Sequence, residues 1–285
     1  MTSASPWPPG HAQQRVDLDG LLAALSIEPD GDGAFIGLTL PSLTGGALGA
    51  PIVAQSVLAA ERAVPTHRVR SVQTIFPSTG DGSLTVRHAL EVVQRGRSFA
   101  SMTIDARQGE RLLARSTLLL HVPEADQPVL DPIAAAVPAP GASAPISMGL
   151  VPGDFRLAAD PTPGGVAEVA LWYRAPREIP AAAGRAMLVH AIEGLVLPTF
   201  LTARGLDDDA PVPAAPKAAL TQNVTIVGDP GVGDWWLLRV ADVVAGSGRV
   251  HGRFTVSDAD GRTLATGSQD GFARVAAPLP NSANS

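Results

Sequence analysis

MLVHAIEGLVLPTF, residues 187–200, decides how this chain is read. Almost every side chain in it is apolar, so a helix of this sequence has no face for water and must be enclosed. Glu193 nonetheless stands in the middle of it. A buried carboxylate is costly unless it is paired, hydrogen-bonded or protonated. Two structural explanations stand open: Glu193 caps backbone loosened by Gly194 and Pro198, or it pairs with His190 one turn earlier. The third is that the carboxylate is there for chemistry.

Working outward, the apolar helix is expected over 186–203, after a strand, VAEVALWYR (166–174). Four strand-like runs follow it: AALTQNVTIV (218–227), WWLLRVADVV (235–244), RVHGRFTVSD (249–258) and TLATGSQDGFARV (263–275). The first half has the same order. DLDGLLAALSIEP (17–29) reads as a short helix and GAFIGLTL (33–40) as a strand. PIVAQSVLAAERAV (51–64) is helical, with proline in its first turn and Pro65 just past its end. Then come VRSVQTIF, SLTVRHALEVV, SFASMTIDA and RLLARSTLLLHV, several of them parted by glycine turns. The closing hairpins also match, DARQGERLLA from Asp105 and DADGRTLA from Asp258, roughly half the chain apart.

PEADQPVLDPIAAAVPAPGASAP (123–145) is rich in proline and alanine, lacks alternation and reads as a linker. The expected layout is a tail over 1–15, a first repeat over 16–122, a linker over 123–148, a second repeat over 149–276 and a tail over 277–285. Strands in series with short turns make an antiparallel sheet. A helix apolar on most faces is enclosed only if that sheet wraps round it. The expected class is α+β, a double hotdog: two tandem repeats, each an antiparallel sheet around a long apolar helix. Two separate α+β domains are the alternative.

These residues resemble the type II acyl-CoA thioesterases over most of the chain. RGRSFASMTIDARQG (95–109) is the closest stretch; LLAALSIEPDGDGAFIG, the helix entry at Gly49, Ala50 and Pro51 with Ala54-Gln55, LWYRAP and GRAMLVHAIEGLVLP also fit. SVQTIFPSTGD (71–81) is similar to a family segment that usually has histidine where Gln73 stands. The resemblance implies a catalytic trio of aspartate, threonine and glutamine. The aspartate falls on Glu193, the glutamine on Gln269 and the threonine on Ala219, which has no hydroxyl. Thr221, two residues on and so expected on the same strand face, is the candidate substitute. Gln55 reads as a structural remnant of the duplicated site.

The implied reaction hydrolyses an acyl-CoA to CoA and free acid, with Glu193, Gln269 and Thr221 around an attacking water and no cofactor. A raised carboxyl pKa suits a base, and the N–H groups at a helix N-terminus suit a developing oxyanion. A degenerate relative that binds acyl thioesters without cleaving them is the second reading. A hydratase or dehydratase using His190 and Glu193 is the third.

Composition narrows the rest. The 285 residues carry a formal net charge of −6 and no basic run, which argues against nucleic acid as a partner. There is no cysteine, so disulfides, thiolate nucleophiles and cysteine metal sites are excluded. No GxSxG elbow and no HExxH pair occurs, and the six histidines are scattered. Arg68, Arg70, Arg95 and Arg97 are weak candidates for CoA phosphates, and Trp235-Trp236 for a sheet edge or subunit contact. No apolar stretch is expected to span a membrane. The start resembles no signal peptide, which makes cytoplasm the default expectation. The resemblance implies a homo-oligomer.

Overall fold

The structure, a computed structural model, describes residues 16–42, 44–124, 136–161, 167–204 and 217–274. In the first half, α1 (Leu18–Ala24) is followed by β1 (Ile27–Pro29), β2 (Phe35–Gly37) and α2 (Gly49–Ala63). Strands β3 (Arg68–Ile75), β4 (Val86–Arg95), β5 (Phe99–Gln108) and β6 (Arg111–His121) complete it. The second half contains β7 (Ala144–Ile146), β8 (Asp154–Ala159), β9 (Val169–Arg174), α3 (Gly184–Glu193) and α4 (Val196–Ala203). It ends with β10 (Lys217–Ile226), β11 (Trp235–Gly246), β12 (Arg249–Asp258) and β13 (Thr263–Ala273).

All the strands form one antiparallel sheet in the order β1-β2-β4-β5-β6-β3-β10-β13-β12-β11-β9-β8-β7. Read outward from its centre, the two halves list corresponding strands in the same sequence, and the second adds β7 at its edge. The halves meet where β3 pairs with β10, Gln73 opposite Asn223 and Ile75 opposite Thr221. The core is continuous from α2 through α3 and α4 to the inward faces of the strands. This is the double hotdog: two repeats fused into one sheet wrapped around paired helices.

Two features correct the reading from sequence. The long apolar helix is two helices, because α3 stops at Glu193 and α4 starts at Val196. The break lies at Gly194 and Leu195, not at Pro198. Pro198 sits in the first turn of α4, where a missing N–H leaves no bond unmade. The end of the proline- and alanine-rich stretch is also folded. Its residues Ala144–Ile146 pair with β8 at the sheet edge, and the Trp172 indole N–H donates to the Pro138 carbonyl at 2.8 Å.

The run Ala181–Ala203 is long and apolar enough to cross a membrane by length and composition, contrary to expectation. It is mostly buried inside the protein, because the sheet supplies the apolar surroundings its sequence demands. Trp236 likewise lies in the core, edge-on to Tyr173 at 5.5 Å, rather than at a contact surface. Trp235 is half-buried under the Arg174 guanidinium, 4.7 Å from its ring centroid.

Helices α2 and α3 lie side by side and antiparallel. At one end the Arg185 guanidinium of α3 meets the Glu61 carboxylate of α2 at 2.7 Å. At the other, Gly49 at the start of α2 faces Glu193 at the end of α3. The first end is closed by this ion pair, which Asp229 extends. Among the described residues no ion pair closes the second end.

Candidate active site

Glu193 is the last residue of α3, delivered to this second end by the apolar helix before it. Its side chain is half-buried and opens onto a narrow cleft. Among the described residues nothing donates a hydrogen bond or ion pair to its carboxylate. It therefore neither caps loosened backbone nor pairs with His190. Desolvation pushes its pKa up to about 7, so the carboxyl is poised between acid and base near neutrality.

Across the cleft stands the start of α2. Leu48 precedes the helix with no side-chain cap. The Leu48 N–H is taken by the Leu40 carbonyl, but among the described residues no acceptor meets the N–H of Gly49 or Ala50. Two first-turn donors and the positive end of the helix dipole thus face a partnerless carboxylate. The fit is close: a Cβ built on Gly49 would lie 3.1 Å from Glu193 Oε1 and 3.0 Å from Phe76 Cε1.

Gln269 reaches the same place from β13. Its amide Nε2–H donates to the Glu193 backbone carbonyl at 2.7 Å, which the end of α3 leaves without a helical partner. Its neighbour by register is Gln222 of β10, wholly buried, whose Nε2–H donates to the Val189 carbonyl one turn back at 3.2 Å. Gln222 Oε1 has no hydrogen-bond partner. Sequence reasoning passed over Gln222, although alternation marks it: counting back from Ile226 through Val224 along the inward face lands on it.

Thr221 does not join this group. A bulge at Leu220 resets the alternation of β10, so Ala219 pairs with Gly271 and Thr221 with Asp270. Two residues apart in sequence, Ala219 and Thr221 end on opposite faces of the sheet. A Cβ on Gly271 would meet Leu197 of α4, so Gly271 and Ala219 face the helices. Thr221 faces outward, its hydroxyl donating to Asp270 Oδ2 at 2.9 Å, while His251 Nδ1 meets Asp270 Oδ1 at 2.9 Å.

His190 lines the cleft beside Glu193, and neither ring nitrogen closes a hydrogen bond. The carbonyls of Leu150 and Ala50 face the ring, but desolvation dominates and pulls its pKa down to about 4. It is therefore a neutral imidazole at working pH. In the first half, Gln55 is saturated: it donates to the carbonyls of Ala24 (2.7 Å) and Leu38 (2.5 Å), and its oxygen meets His88 Nε2 at 2.8 Å. That amide is structural. Gln73 is exposed at the seam between the halves. Arg68 and Arg70 of β3 donate to backbone carbonyls, Arg95 and Arg97 are exposed, and none of the four lines the cleft. Among the described residues there is no cluster able to hold a metal ion.

Comparison with known proteins agrees with the fold. The structure is similar to the tesB protein of Mycobacterium avium subsp. paratuberculosis, with a TM-score of 0.78 and 22% identity over 91% of this chain and 100% of that one. It is similar to the acyl-CoA thioesterase II TesB2 of Mycobacterium marinum, with a TM-score of 0.73 and 19% identity over 91% and 99% of the two chains. A hot dog fold protein from Alicyclobacillus acidocaldarius has a TM-score of 0.72 and 18% identity over 90% and 98%. No curated protein matches the sequence. The model of the acyl-CoA thioesterase N-terminal domain matches residues 39–121, and that of the C-terminal domain matches residues 123–273. Both halves being present in their order, the chain belongs to the acyl-CoA thioesterase family.

Proposed function

We propose that this protein hydrolyses acyl-CoA thioesters with Glu193 as the base that activates water. One observation carries the reading: a partnerless carboxylate with a pKa of about 7 faces two unpartnered N–H groups at the start of α2. Ionised Glu193 takes a proton from water as the oxygen attacks the thioester carbonyl carbon. The carbonyl oxygen becomes an oxyanion held by the N–H groups of Gly49 and Ala50. When the oxyanion collapses, the C–S bond breaks and the thiolate leaves. Glu193 returns its proton to that sulfur, giving CoA thiol and a free acid. Gln269 fixes the end of α3 through the Glu193 carbonyl, and the free oxygen of Gln222 is a second acceptor on the same inward face.

A second reading keeps the acyl thioester bound but uncleaved, favoured by a hydroxyl that faces the wrong side of the sheet. The two separate on free-thiol appearance from a panel of acyl-CoAs, short to long. The protein has no cysteine, so the background is clean. Thiol release above the uncatalysed rate is expected. Tight binding without release would replace the hydrolase by the binding protein. A change in enoyl absorbance without release would replace it by the hydratase.

A further inference from the structure

Between β7 and β8 the chain runs SMGLVPG, residues 147–153. Met148, Leu150 and Val151 of this strap line the cleft beside Glu193 and His190. Met148 and Val151 also line a second recess, with Val16, Ser147, Gly149 and Gly153. These two residues, 8% and 7% exposed, thus border both spaces. The inner cleft has a cavity volume of about 30 Å³ and the outer recess about 210 Å³. The inner volume suits a water or two and no acyl chain. Any acyl group that reaches Glu193 therefore has to displace part of its wall.

The other walls are poorly suited to move. Leu48 and Ala50 belong to the entry and first turn of α2, Ala191 to α3 and Leu195 to the start of α4; Met148 and Val151 share the same apolar core but sit on a loop rather than a helix. The strap is held more lightly. The Val16 N–H donates to the Gly149 carbonyl at 2.7 Å, the Tyr173 hydroxyl to the Pro152 carbonyl at 3.1 Å, and the Val151 N–H only to Met148 within the strap at 3.3 Å. The strand before it, β7, is three residues long at the edge of the sheet. Segments with few external hydrogen bonds open at low cost. Gly153, at φ +150°, forms the far end, where a side chain would run into the Tyr173 ring and the Arg174 carbonyl. The strap also differs in chemistry between its two sides. The outer recess is walled largely by backbone and glycine, which suits the amides of a pantetheine arm; the inner cleft is walled by apolar side chains, which suits an acyl chain.

We propose that the 147–152 strap admits the acyl group to Glu193 and that Met148 and Val151 select it by size. This rests on the thioesterase reading of the same site. Removing bulk from these two residues is worth a change in selectivity of the size seen for methylenes in apolar pockets, roughly tenfold or more.

The test compares the parent with Met148→Ala, Val151→Ala and Met148→Trp, each checked by thermal melting. Two readouts are taken over acyl chains from acetyl to palmitoyl: kcat/KM for acyl-CoA, and Kd for the non-hydrolysable S-alkyl-CoA thioethers. Both alanine variants are expected to shift the long-to-short ratio upward by roughly tenfold, and the tryptophan variant to shift it downward. An unchanged chain-length profile in folded variants would overturn the strap proposal while leaving the base assignment standing. If the parent cleaves nothing, the hydrolase reading fails separately, and the thioether affinities alone still decide the strap.

Discussion

Glu193→Gln is expected to lower kcat/KM for acyl-CoA by about a thousandfold, within the range a general base contributes, without unfolding the protein. The amide keeps the shape of the side chain and cannot accept the proton from water. Stability is expected to be unchanged or higher at neutral pH, and the linkage sets the sign. The folded carboxyl has its pKa raised to about 7, so from about 4.5 to 7 the unfolded chain ionises while the folded one stays protonated. Native stability therefore falls as pH rises through that window, and the neutral amide escapes the loss. No hydrogen bond among the described residues is given up, since none of them pairs with the carboxylate. Thr221→Ala is the matched control. Its hydroxyl bonds Asp270 on the outer face, so activity is expected to stay within about twofold, a surface change being worth little. Equal losses in the two variants, read by thiol release and thermal melting together, would sink the base assignment.

Gly49→Ala is expected to lower kcat/KM by about a hundredfold, the scale of losing one oxyanion donor. The added methyl would stand 3.1 Å from Glu193 Oε1 and 3.0 Å from the Phe76 ring. Both neighbours must yield, and the methyl takes the space beside the Gly49 and Ala50 N–H groups where the thioester oxygen is proposed to sit. The backbone at Gly49 is ordinary helix without a positive φ, so alanine brings no backbone strain of its own. The expected pattern is thus lost turnover with a nearly unchanged melting temperature. Activity within twofold of the parent would mean that the start of α2 does not receive the substrate oxygen.

Much of this architecture is legible in the sequence because its signals are long. Two apolar helices, each followed by four strands and closed by the DARQG and DADG hairpins, repeat over spans too extended to be accidental. Glu193 is legible for the opposite reason, as one charge in an apolar run. What escaped depends on single-residue geometry. The bulge at Leu220 leaves no mark in the pattern, yet it puts Ala219 and Thr221, two residues apart in sequence, on opposite faces of the sheet. The strand β7 hides in a proline-rich stretch because Pro145 is tolerated at a sheet edge, where its missing N–H is not needed. Gly194 and Pro198 both signal a break, and only the packing of α3 against α2 places it at Gly194, which puts Glu193 at a helix end facing another helix start.

The most direct test of the account is the pH dependence of kcat/KM for thiol release, followed from acid to mildly alkaline pH with a pyridyl disulfide reagent. A base with its pKa raised to about 7 is protonated and idle below that value. The rate is therefore predicted to rise about tenfold per pH unit on the acid side, bend near pH 7 and level off above it. A profile that is flat through neutrality, or one that keeps climbing with hydroxide and shows no bend, would contradict the claim that Glu193 is the base.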